Sequence, residues 1–598
     1  MKKITEILEK YGIYLVIFCC LALGLLSLTF KNATLDDDLY LWETSMMTET
    51  MSRGEWFGDY AVGTHGFLFK LPVALIFLLT GPSLAIATVW NVLLACFALF
   101  IFYRILTTYF PRNIYPILGV ILMFCNFQFI LNLPTYMREF PVLVGMLVLI
   151  YALIKKRSLW IIGLSLLLIL EGKEYVFFMI VPALLIYVII SQWKGINVKT
   201  LVGLFKGYTK VFLPSAIFFL LMIFTSIIPL NMYGLSVIPG ITKGGTEYHV
   251  RHFDSDIATT NKIDEDATSI QKTIDSEDTT IEKAYKTVVS YIGKILYPRS
   301  FSFLSIPKII LFPSFLTSIL LFAKAYRKRD SFFISFSLIY WSFLSIFILR
   351  ASFDRYLFPL LPVVVFFFLL FIKELVKERN KFFIVVTISG LLSLLGLLFE
   401  VEYIWIKFIL NIFILAMYFG YYYLRTRIKY LEVLIISVVS LITFCIVIFF
   451  FYANGQLHQY LLWGHDYEVR EVVTYFKDDE KVMFNDVGWD ILVKVYRGDN
   501  RYNPEWKWEL QDWVPRKKNL KMLEKFTSYG IYGKSVEDDR ILIESVGIEK
   551  IGLMVSEIED EPFRYETRLE EYLEVDWLKL INTVEMKNKR LYIFEVVY

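Results

Sequence analysis

Charge is what this sequence has least of. Only 20% of its 598 residues are Asp, Glu, Lys or Arg, and 61 basic against 58 acidic side chains leave a net charge of +3. A soluble domain needs more charge than that to cover its surface, so an ordinary soluble fold is excluded. So slight a basic excess also removes nucleic acid from the partners to be considered. Cysteine is equally scarce. Cys19, Cys20, Cys96, Cys125 and Cys445 all fall inside apolar runs, where they read as small buried hydrophobes rather than as a disulfide framework. No internal repeat is visible, and no A-x-A-like cleavage site follows "MKKITEILEK" and its apolar run. The first helix is therefore expected to be retained, with the N-terminus in the cytoplasm.

What is present in quantity is apolar. Hydrophobic residues make up 57% of the chain and aromatics 17%, with a mean hydropathy of +0.55. Thirteen runs are long enough to cross about 30 Å of hydrocarbon; they lie near 11–30, 82–104, 114–132, 139–155, 158–173, 175–191, 210–230, 303–325, 331–350, 354–373, 381–400, 403–424 and 431–453. The run 66–80, "GFLFKLPVALIFLLT", is shorter and carries Lys70 and Pro72. With that run in the interface rather than across the membrane, the basic stretches "KKR" (155–157), "KAYRKR" (324–329), "KELVKERNK" (373–381) and "RTRIK" (425–429), with Lys194, Lys199 and Lys206, all fall on the cytoplasmic side. The expected architecture is a multi-pass α-helical protein of the cell membrane. Residues 1–453 form its membrane domain, with a first outer loop at 31–81 and a long polar outer loop at 231–302. Residues 454–598 alternate strand-like segments ("KVMFND", "KIGLMVSE", "RLYIFEVV") with helical runs ("DYEVREVVTYFKDD", "RLEEYLEVDWLKLIN"), and so predict a small extracytoplasmic α/β domain.

This threading brings charge to one boundary. The outer face receives "LDDDLY" (35–40) with its three adjacent carboxylates, and also Lys70, Arg138 and Glu139, Glu171 to Glu174, and Arg355 and Tyr356. Charges at a membrane boundary are costly unless they reach water or a partner. Ordinary snorkelling of helix-end side chains accounts for any one of them, and a solvated loop accounts for the aspartates. Their convergence calls for a site.

The ordered set "DDDLY" (36–40), "GEW" (54–56), "FKLP" (69–72), "MREFP" (137–141), "EGKEY" (171–175) and "DRYLFPLLP" (354–362) resembles the GT-C superfamily of membrane glycosyltransferases. Within it, the closest pattern is the branch of protein O-mannosyltransferases and lipid A aminoarabinose transferases. The resemblance runs over essentially the whole chain, including thirteen spans and an outer C-terminal domain. It implies transfer of a sugar from a polyprenyl-phosphate donor to a hydroxyl of a lipid, glycan or protein acceptor at the outer face, with inversion. It also implies a carboxylate to take the acceptor proton: Asp36 leads, Asp37 and Asp38 compete with it, and Glu139 is a further catalytic candidate. Lys70, Arg138 and Arg355 are expected at the leaving phosphate, and Tyr40, Lys173, Glu174 and Tyr356 around the substrate. Here Asp36-Asp37 replaces an Asp-Glu pair, Lys70-Leu71-Pro72 a Lys-Pro-Pro pattern, and Arg138-Glu139 an Arg-Asp pair. These departures bear on the sugar and the acceptor more than on the class.

No cofactor follows from the resemblance, and a divalent cation stays open. "EYHVRHFDSD" (247–256) gathers Glu247, His249, His252, Asp254 and Asp256, with His65, His458 and His465 also on the outer side, but it lacks helical periodicity. Trp506, Trp508 and Trp513 offer faces to a sugar or to packing. Rival readings are a transporter or flippase for a lipid-linked glycan, a glycan polymerase or ligase, and a silent scaffold. Transporters place ionisable residues near the midplane and often carry repeats, unlike this chain.

Overall fold

Within hydrocarbon every backbone N–H and C=O must find its partner inside the protein, so an apolar run with no sheet to join becomes a helix. The computed structural model bears this out at the residues it describes. It describes residues 2–27, eight positions between 40 and 52, 67–111, 114–133, 135–155, 159–192, 198–224, 308–328, 330–349, 358–397, 404–424, a few positions of 431–441, 471–477, 480, 482–484, 540, 543–544, 547–556, 569–586 and 589–598. The helices are α1 (Lys2–Ser27), α2 (Phe67–Thr80), α3 (Leu84–Tyr109), α4 (Tyr115–Phe124), α5 (Phe127–Asn132), α6 (Glu139–Lys155), α7 (Leu159–Gly172), α8 (Glu174–Gln192), α9 (Val198–Phe224), α10 (Lys308–Lys328), α11 (Ser331–Leu349), α12 (Leu361–Lys373), α13 (Arg379–Leu397) and α14 (Ile404–Leu424). Among the described residues, three stretches are long and apolar enough to cross a membrane: Leu84–Tyr109, Ile310–Lys328 and Phe358–Lys377. Shorter apolar helices accompany them, and the whole is a polytopic helical membrane protein.

Helix α12 is apolar on every side, and every residue from Leu361 to Ile372 is buried. Such a helix belongs at the centre of a bundle. Phe366 and Phe367 spread from it to Tyr109, Phe110, Phe333, Phe336 and Tyr340, with ring centroids 5.2–6.3 Å apart. Small residues bring α6, α7 and α9 close. A Cβ on Gly163 would lie 2.8 Å from the backbone of Pro214 and Ser215, and one on Gly172 would strike Val142. The short link between α6 and α7 makes them antiparallel, so the start of α6 and the end of α7 meet. That meeting sets the candidate site.

Several elements differ from the expected ones. The single span at 114–132 is two helices, because Asn126 turns extended (φ −76°, ψ 140°) and caps α5 by accepting from the Gln128 N–H at 3.0 Å. The run at 210–230 is helical from Val198, so Lys199 and Lys206 belong to α9 rather than to a loop before it. Segment 66–80 is a regular helix from Phe67 with Lys70 and Pro72 inside it, ended by Gly81 at φ +75°, a conformation glycine adopts without strain. Its 14 residues span about 21 Å at the α-helical rise. Of the cysteines, Cys20 is buried as expected, Cys96 and Cys125 are half-buried and Cys19 is exposed on α1. Residues 231–302 and Cys445 lie outside the described residues.

The C-terminal part holds a four-stranded mixed sheet of β1 (Val482–Phe484), β2 (Lys550–Ser556), β3 (Leu578–Met586) and β4 (Lys589–Val596), in the order β1-β2-β4-β3. Only β1 and β2 are parallel. The expected helical run "RLEEYLEVDWLKLIN" is helical only at α15 (Leu569–Glu574). From Leu578 it is strand, because pairing with β4 outweighs local propensity. Alternate residues serve two cores. Ile551, Leu553, Phe594 and Val596 pack with Tyr572 and Trp577 on one face. On the other, Phe484 lies across Gly552, whose Cβ would sit 2.3 Å from its ring, in one cluster with Val472, Phe476, Val584, Leu591 and Ile593. That second cluster also contains Tyr40, Leu41, Phe69, Val73, Phe77, Tyr136 and Met137.

Candidate functional site

The chain after α1 returns as helix at the described positions from Tyr40 to Ser52. Thr44 and Ser45 bond back to the carbonyls of Tyr40 and Leu41 at 2.6 and 2.9 Å. Thr48 donates across to the Ala74 carbonyl of α2 at 3.3 Å. Phe69 stands between two tyrosines. It meets Tyr40 edge-on at 5.4 Å and stacks on Tyr136 at 4.9 Å. The Thr44 and Tyr136 hydroxyls share a hydrogen bond at 3.0 Å. Three separate stretches of sequence thus form one buried joint.

Around this joint the charges are assigned. Arg138 donates from Nε to the Tyr40 hydroxyl at 2.9 Å, with its guanidinium 5.3 Å from the Tyr40 ring centre. Glu139 opens α6 and forms an ion pair with Lys173, which follows α7; both are buried. Consecutive residues at a helix start project in different directions, and so Arg138 and Glu139 take separate partners. Lys70 is fully buried on α2, one residue from Phe69. A snorkelling lysine would keep its ammonium in water, and a buried one requires polar or anionic company. Glu171, also fully buried, accepts from the Leu68 N–H at 3.5 Å, at the same end of α2.

The structure therefore brings together Tyr40, Lys70, Arg138, Glu139 and Lys173 from the sequence candidates. Glu174 begins α8 directly after Lys173. Asp36, Asp37, Asp38, Arg355 and Tyr356 lie outside the described residues, as do His65, His458, His465, the segment 247–256 and Trp506, Trp508 and Trp513. Among the described residues no three His, Cys, Asp or Glu side chains gather as metal ligands.

Sequence reasoning missed three supports, Thr44, Tyr136 and Asn91, and placed Glu171 at the outer face without a role of its own. A polar side chain in the middle of a long apolar run was the available signal for Asn91. It is fully buried on α3 and donates from Nδ2 to the carbonyls of Thr135 and Met137, at 2.6 and 3.0 Å, holding the turn that presents Arg138 and Glu139. Removing a donor from buried acceptors costs about 1–3 kcal/mol. Asn91→Ala is expected to lower the melting temperature of the purified protein and to loosen the Arg138 turn, so that trypsin cleaves after Arg138 faster than in the wild type. An unchanged melting curve and cleavage rate would count against this support.

No protein-family profile matches the chain, and no curated protein sequence does. Among solved structures, the chain is similar to the crystal structure of ArnT from Cupriavidus metallidurans in the apo state, at 10% identity and a TM-score of 0.48, with 98% of each chain covered. It is also similar to the same protein bound to undecaprenyl phosphate, at 12% identity and a TM-score of 0.46, again over 98% of each chain.

Proposed function

We propose that this protein is an integral-membrane glycosyltransferase of the GT-C type, moving a sugar from a polyprenyl-phosphate donor to an acceptor hydroxyl at the outer membrane face with inversion. The observation that carries this reading is the joint at Phe69. It gathers Lys70, Arg138 and the Lys173–Glu139 pair where α2 and α6 start and α7 ends, and its Tyr40 closes the acidic motif "DDDLY".

In the proposed reaction Asp36 takes the acceptor proton as the acceptor oxygen forms its bond to the anomeric carbon. The bond from that carbon to the phosphate oxygen breaks, and its electron pair leaves with the lipid phosphate. Positive groups fixed in advance stabilise the charge that grows there. Lys70, Arg138 and Arg355 take that role. A phosphate is a good leaving group and needs no strong acid behind it. The Arg138 bond to Tyr40 ties the phosphate end of the site to the acidic loop, so a shift of either would be felt by the other. Glu139, paired in the interior, is read as the counter-ion that holds Lys173 rather than as a second base. Lys173, Glu174, Tyr40 and Tyr356 then line the substrate side.

The test is turnover in liposomes. The purified chain, supplied with polyprenyl-phosphate sugars and hydroxyl acceptors, is expected to release free polyprenyl phosphate. Lys70→Ala and Arg138→Ala should cut that release by about 10²-fold, as for removal of a fixed donor to a developing anion. Donor that crosses the bilayer intact, with no phosphate released, would overturn the proposal in favour of a transporter.

A further inference from the structure

Away from the candidate site, α10 and α12 end together. The two membrane-length stretches Ile310–Lys328 and Phe358–Lys377 finish in basic residues, and α13 starts at Arg379 beside them, with α10 packed against both α12 and α13. Exposed Lys324, Arg327, Lys328, Lys377 and Arg379, with half-buried Lys381, therefore form a crescent where apolar helices reach the surface.

The counter-charges are few. Lys377 pairs with Glu374 at 3.1 Å and Lys381 with Glu378 at 2.5 Å. The Lys381 hydrogen bond, with Lys324 adding to it, holds the Glu378 carboxyl below its ordinary range, which places Lys324 close by. Asp330 is occupied in capping α11, accepting from the Phe333 N–H at 3.1 Å. Among the described residues no ion pair engages Arg327, Lys328 or Arg379. Lys373 is turned inward, its ammonium 4.6 Å from the Phe110 ring centre and 5.7 Å from that of Tyr115, so it belongs to the bundle and not to the crescent. Tyr326 stands 64% exposed between the cations, an aromatic at the level where apolar helix gives way to charge.

We propose that this crescent binds the headgroups of anionic phospholipids. The cations sit at the depth of lipid phosphates by virtue of the helices that end in them, and a ring at that depth suits the interface rather than water. Clusters of four to eight basic residues beside a membrane span carry enough charge to enrich anionic lipid. A protein partner would have to reach the same groups through the headgroup layer.

The test uses the full chain in phosphatidylcholine bilayers with trace spin-labelled lipid, reading the motionally restricted fraction by electron paramagnetic resonance. Phosphatidylglycerol is expected to associate at least about threefold more strongly than phosphatidylcholine at low salt, and the preference should shrink at ~0.5 M NaCl by screening. R327Q/K328Q/R379Q should bring it to near parity, whereas the control K206Q/K210Q on α9 should keep it. Parity in the wild type, a preference that survives in the triple variant, or an equal loss in the control overturns the proposal. If the triple variant fails to fold, the wild-type salt titration decides, and a preference unmoved by ~0.5 M NaCl overturns it.

Discussion

Asp36→Asn is expected to insert and fold as the wild type does, to bind the lipid-linked donor, and to lose transfer by about 10²–10⁴-fold, the range for removing a positioned general base. The amide keeps the shape of the carboxyl and cannot take the acceptor proton. Asp37→Asn and Asp38→Asn should cost less, because a neighbouring carboxylate acts on the base by repulsion, raising its proton affinity, rather than by taking the proton itself. Tyr40 gives the ranking a structural anchor. It is buried and held by Arg138, and chain length alone keeps Asp36, four residues before it, within about 14 Å of it. Single-turnover assays on the three variants check this, with donor affinity measured separately. If all three transfer at the wild-type rate, the triplet is a solvated loop. If only Asp37 or Asp38 matters, the reaction stands and the base is one or two residues later.

Lys173→Met and Glu139→Leu should each destabilise the protein by about 3–5 kcal/mol, because each takes from a buried charge the opposite charge it is paired with. The double variant should recover most of that loss, since two apolar side chains of similar volume replace two charges and leave neither stranded. The pair is the more sensitive for lying where α6 and α7 meet over Gly172, whose hydrogen faces Val142 at a spacing too small for a methyl group. Unfolding in detergent, analysed as a double-mutant cycle, reads the coupling directly. Additive losses would show that the two charges find other company. Activity need not follow stability: if Lys173 faces the substrate, the double variant would be stable and slow.

Hydropathy located the helices well because apolar runs in a lipid setting have few alternatives. It could not see the break after Phe124, since Cys125 and Asn126 hardly change the average and the break depends on one capping bond. It read "DWLKLIN" as helix because its partner strand, β4, comes later in the chain, and pairing of that kind is invisible to a local pattern. The charged motifs were legible as an ordered set, but their pairings were not. Sequence adjacency ties Arg138 to Glu139, whereas the fold gives them Tyr40 and Lys173 instead. Lys70 in a short helix reads equally well as snorkelling, and only its complete burial separates the two. Tyr136 and Thr44 carried no signal at all, being ordinary core residue types until the joint assembles them, and Phe69 stood only as the flank of Lys70 in "FKLP".

The cluster that unites Tyr40, Phe69 and Tyr136 with Val472, Leu591 and Ile593 has a consequence for biogenesis. Its first member leaves the ribosome long before its last, separated by roughly five hundred and fifty residues and, at ordinary translation rates, by about 30–110 s. Through that interval the early aromatic surface is made and inserted without the sheet that finally covers it. The nascent chain must therefore spend that time with an adhesive face open, where an insertion chaperone or the lipid surface has to stand in for the missing strands. A stop codon shortly before β4 would leave every apolar helix in place, and the newborn protein would never lose its appeal to quality-control proteases.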